Sequence, residues 1–76
     1  MTSFKKGDYV AWKWANGMGH GTIESVHAKR TTIESKGKMI VRNGTDDNPA
    51  VVINDHNGVT VLKKASELKQ TTKDNG

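Results

Sequence analysis

Two tryptophans, a run of cations and three histidines are the side chains of this sequence best suited to recognition. Lys29, Arg30, Lys36, Lys38 and Arg42 are opposed within residues 29–42 only by Glu34, so five cations less one carboxylate leave +4 there. Residues 43–62 hold only Asp46, Asp47 and Asp55, a local −3. The whole chain carries +4, so the layout says more than the total. A basic segment followed by an acidic one orients a charged partner, and a cationic face suits a polyanion. Trp14, next to Lys13, could serve as a platform for stacked bases, at about 1–3 kcal/mol per base. Trp12 is assigned to the core instead, because with 33% hydrophobic residues nearly every large apolar side chain is needed there.

The other candidate chemistries fall away one by one. A cage for a methylated ammonium needs three or four rings from separate loops facing one point. Phe4, Tyr9, Trp12 and Trp14 are all the rings there are, and they lie in one stretch of eleven residues, so no full cage is expected. His20, His27 and His56 are too scattered for a zinc site, and no cysteine is present. Neither a metal nor a cofactor is expected. Asp46-Asp47 lies before Pro49, where aspartate commonly accepts turn hydrogen bonds, and paired-carboxylate catalysis would need a deep pocket. Ser66-Glu67-Leu68 reads as a capped turn and not as a nucleophile. Gly17-Met18-Gly19-His20-Gly21 lacks both the spacing and the following helix of a phosphate loop. It reads as a flexible hairpin connection able to shape a groove, which makes His20 a contact candidate. The expectation is a binding module and not an enzyme.

These residues must be positioned by strands. Asn16-Gly17, Asn43-Gly44 and Asn57-Gly58 separate short apolar runs, and Lys36-Gly37 separates two more. Such marks at about 8–12-residue spacing, with β-branched runs between, indicate a barrel or sandwich. Strands are expected at Tyr9–Lys13, Gly21–His27, Thr31–Ser35, Lys38–Asn43, Val51–Asp55 and Val59–Lys63. Ile23 and Val26 have opposite parity, which predicts a bulge near Glu24-Ser25. A two-residue turn at Lys36-Gly37 would pair Ser35 with Lys38 and set Ile33 opposite Ile40. Ser66–Leu68 should form one helical or 3-10 turn, with Leu68 closing the core. The domain is expected over 4–69, with flexible termini at 1–3 and 70–76. No apolar run is long enough to span a bilayer, and the start lacks a secretory pattern. The expectation is a soluble, cytoplasmic monomer.

Phe4-Lys5-Lys6-Gly7-Asp8-Tyr9-Val10-Ala11-Trp12, followed by Gly19-His20-Gly21-Thr22-Ile23, resembles the opening of many SH3-like barrels. Adding Arg42-Asn43, Asp46-Asp47-Asn48-Pro49-Ala50 and Val61-Leu62-Lys63-Lys64-Ala65-Ser66-Glu67-Leu68 sharpens the pattern. Over Phe4 to Leu68 it is similar to the hypervirulence-associated protein Tudor-domain family of small bacterial and fungal proteins. The resemblance implies an all-β, SH3-like (Tudor-like) antiparallel barrel of five to six strands, with a short 3-10 turn near the C-terminus. It implies no ligand. The residues themselves nominate Lys13, Trp14, His20, Lys29, Arg30, Lys36, Lys38 and Arg42 as contacts. Nucleic acid along a basic face is the first expectation, and a peptide at a groove or sheet edge is the alternative.

Overall fold

A computed structural model describes residues 4–14, 17–55 and 57–70, with Trp14 described in its backbone alone. Seven strands follow in order: β1 (Tyr9–Trp14), β2 (Gly17–His27), β3 (Arg30–Ser35), β4 (Lys38–Asn43), β5 (Ala50–Asp55), β6 (Thr60–Lys64) and β7 (Leu68–Gln70). A 3-10 turn at Ala65–Glu67 links the last two. Five strands form one antiparallel sheet in the order β6-β5-β2-β1-β7, while β3 and β4 pair only with each other. The fold is the small all-β, barrel-like one expected. It has one strand more than expected, because Leu68–Gln70 pairs with Trp12, Ala11 and Val10 along β1. Gln70, assigned from sequence to the tail, is therefore part of the sheet.

Ala50-Val51-Val52-Ile53 is apolar at four successive positions, the pattern of a strand covered on both faces. All four are buried. Alternation sends Val51 and Ile53 to one side, where they pack with Val10, Trp12, Ile23, Ala65 and Leu68. Ala50 and Val52 face the other side and meet Leu62, with Ile33 and Ile40 packed against them. Ile33 comes from β3 and Ile40 from β4, so the β3–β4 ribbon is the cover for the second face. The expected bulge is present: Ile23 opposes Ile53, the register then shifts before Ser25, and Val26 opposes Val51. The extra residue lets Ile23 and Val26 serve the same core despite their opposite parity.

His27 pairs with Ala50, so residues 28–49 leave the sheet and re-enter it at adjacent positions. Gly44 closes this excursion. Its N–H donates to the Lys29 carbonyl (3.0 Å), and a Cβ there would stand 2.6 Å from the Ala50 nitrogen. Asn43-Gly44 is thus a point of close backbone approach and not the hairpin turn read from sequence. Lys36-Gly37 is a true turn, with φ of 54° and 77°, and it sets Ser35 against Lys38 and Ile33 against Ile40 as expected.

The glycine-rich segment corrects the sequence reading. Gly17–Gly21 is no loose connection but the first half of β2, paired residue by residue with β1. Glycine is required there by crowding: a Cβ on Gly19 would lie 2.5 Å from Trp12 Nε1. Trp12, 7% exposed, is in the core as expected and lies over that strand. Gly19→Ala should therefore cost about 1–3 kcal/mol through overpacking. Thermal melts of Gly19→Ala, Trp12→Leu and the double variant test this. The two losses should combine to less than their sum, and strict additivity would mean that the ring does not occupy the glycine's space.

Candidate functional site

The site begins with the ribbon. Ile33 and Ile40 hold its middle on the sheet, and the Ser35 hydroxyl donates to the Thr60 carbonyl (2.8 Å), pinning its tip to β6. Alternation turns Thr31, Ile33 and Ser35 toward the sheet with their partners Arg42, Ile40 and Lys38. Arg30, Thr32 and Glu34 face away with Asn43, Val41 and Met39. The cations of 29–42 consequently do not share the single basic face expected. Lys36 and Lys38 mark the tip, while Lys29, Arg30 and Arg42 mark the base, roughly 13–20 Å away at the usual rise per strand residue.

The two groups differ in freedom. Arg42 is half-buried, donates from Nη1 to the Val41 carbonyl (2.9 Å) and has Nε 4.0 Å from Glu67 Oε1. That carboxylate also accepts from the Lys64 N–H (2.8 Å), so it is fixed by the 3-10 turn. Among the described residues Lys29, Arg30, Lys36 and Lys38 are exposed and have no acidic partner within ion-pair distance.

Below the tip lies a groove with a volume of ≈ 320 Å³. Trp12 and Val61 line its apolar part, Met18, His20 and Asn57 flank it, and Lys36 reaches it from the ribbon. Asp55 also borders it, but its Oδ1 accepts from the Asn57 and Val59 N–H groups (2.8 and 2.9 Å), holding the β5–β6 turn. A second groove of ≈ 240 Å³ lies beside β7, lined by Ala11, Lys13, Met18, Glu67, Leu68 and Lys69, and also by Trp12. Trp12 and Met18 border both.

The family model that matches this chain is that of the hypervirulence-associated proteins' Tudor domain, over residues 7–68. The chain belongs to that family. No curated protein and no solved structure matches it. Tudor domains generally bind proteins or nucleic acids, and this one is accordingly a member of a class of binding modules.

In this Tudor domain the described rings part company: Phe4 and Trp12 go to the core, and Tyr9 stacks on His20 (centroids 6.2 Å, planes 10° apart). His27 hydrogen-bonds Ser25 (2.9 Å), and His56 lies outside the described residues. Among the described residues no three metal-ligating side chains converge. Of the residues nominated from sequence, His20 and Lys36 meet at the first groove, while Lys13 lines the second. The Trp14 side chain lies outside the described residues; its backbone pairs with Gly17. Met18 and Asn57 were missed. Each was read as part of a connection, and only the fold shows that Met18, in β2, and Asn57, in the β5–β6 turn, border one groove.

Ser35 is the contact on which the tip's position rests. Ser35→Ala should cost about 1 kcal/mol and speed amide exchange in β3 and β4 more than in β1 and β2. Unchanged ribbon exchange would show that the hydroxyl does not pin it.

Proposed function

We propose that this Tudor domain is a non-catalytic binding module that contacts nucleic acid through the β3–β4 ribbon. One arrangement carries the reading: four cations without acidic partners among the described residues, displayed at both ends of a rigidly seated two-stranded element. Phosphate contacts position a protein on nucleic acid, and separated exposed cations suit an extended strand better than a single small anion. The ribbon's own surface adds little opposing charge, since Glu34 is the one carboxylate within it. The acidic residues of the excursion, Asp46 and Asp47, lie in the turn that Asn48 ties to Ser66, with the Ser66 N–H donating to Asn48 Oδ1 (2.8 Å) and Asn48 Nδ2 donating to Ser66 Oγ (3.1 Å).

A second reading, a peptide taken beside β7, draws on the ≈ 240 Å³ groove, where Lys13 and Lys69 stand with Leu68. Its ligand would be an acidic peptide with an apolar anchor.

Titration of a short oligonucleotide across a range of salt concentrations separates the two. Four neutralised phosphates give a slope of log K against log salt of roughly −2.8 to −3.6. Replacing Lys29, Arg30, Lys36 and Lys38 by Ala should flatten that slope toward zero and leave the thermal midpoint nearly unchanged. A slope that persists in this variant would move the contact elsewhere, and loss of partners only when β7-groove residues are changed would favour the peptide.

A further inference from the structure

The ribbon ends at a groove, and that adjacency extends the nucleic-acid reading, on which the following rests. Lys36 belongs to both: it is the first turn residue of the ribbon and it lines the ≈ 320 Å³ groove. The Ser35–Thr60 hydrogen bond keeps the two together, since Thr60 opens β6 directly after the β5–β6 turn that forms the groove's edge. We infer that this groove receives one unstacked nucleobase from a single strand whose phosphates lie on the ribbon cations.

The chemistry of the lining fits a base better than the other occupants a basic rim would admit. Trp12 and Val61 supply apolar surface for a flat ring, and Met18, 49% exposed, adds a polarizable thioether at its side. His20 borders the groove, and its ring stacks on Tyr9. The Asn57 backbone N–H is occupied by Asp55, but its side-chain amide makes no hydrogen bond among the described residues and offers both a donor and an acceptor. A base edge carries that same mixture. A bare phosphate would face Asp55 and gain nothing from Trp12 or Val61. A simple apolar side chain would leave the Asn57 amide unused and draw nothing from Lys36. The volume, at the small end of ligand sites, suits one planar ring system. Bases in a duplex cannot reach such a groove without unstacking, so the site favours single strands.

The test compares a short single-stranded oligonucleotide with the same strand bearing abasic positions, which keeps every phosphate and removes the rings. The intact strand should bind about five-fold or more tightly than the abasic one. Asn57→Ala, at an exposed position with ordinary backbone, should remove part of that difference while leaving abasic binding and the salt slope unaltered. Equal, salt-dependent binding of both strands would overturn base capture and leave the ribbon contact standing. Absence of binding by either strand would overturn both.

Discussion

The constraint on which this structure depends is that β5 must be covered on both faces. Four successive apolar residues, Ala50 to Ile53, cannot leave either side of the strand in water. The curled sheet supplies one cover, through Val10, Trp12, Ile23 and Leu68. Nothing in the five-stranded sheet supplies the other. The excursion 28–49 does so, laying Ile33 and Ile40 over Ala50, Val52 and Leu62. The basic ribbon is therefore part of the fold, and its cations are carried by an element whose seat is set by core packing.

That arrangement explains how a sparsely apolar domain can hold a basic ribbon in an ordered position. The ribbon's inward side is committed to burial and its tip to the Thr60 carbonyl, so the lysines at the turn extend from a fixed backbone. At the far end Gly44 brings the returning chain against Lys29 and Ala50, so the base is fixed as firmly as the tip. Trp12 has a similar double role on the opposite side of β5. Its ring fills the space left by Gly19, completes the first core and forms the apolar part of both grooves. Stability and candidate recognition thus share residues, which limits how freely either can vary.

Much of this was legible in the sequence where the physics is local. The Lys36-Gly37 turn fixed the pairing of Ser35 with Lys38 by two-residue loop geometry, and the parity conflict between Ile23 and Val26 located the bulge. Leu68 and Trp12 could be placed in the core because so few large apolar residues were available. What was not legible depends on contacts distant in sequence. The pairing of His27 with Ala50 turns residues 28–49 into an excursion, and no local signal announces it. Without it, the alternation along β3 and β4 could not be assigned to an inner and an outer side, so five nearby cations read as one face. Gly17–Gly21 misled for a related reason: composition alone does not distinguish a flexible glycine from one that makes room for a ring directly opposite on the partner strand.

The central claim is that the contact surface is the ribbon together with the groove at its tip, and amide chemical-shift mapping with a single-stranded oligonucleotide at low salt tests it most directly. The account predicts that the largest shifts fall at Arg30, Lys36–Lys38, Met18, His20 and Asn57, and that they fade as salt is raised. Shifts confined to Lys13, Leu68 and Lys69, or no shifts at high oligonucleotide concentration, would contradict it.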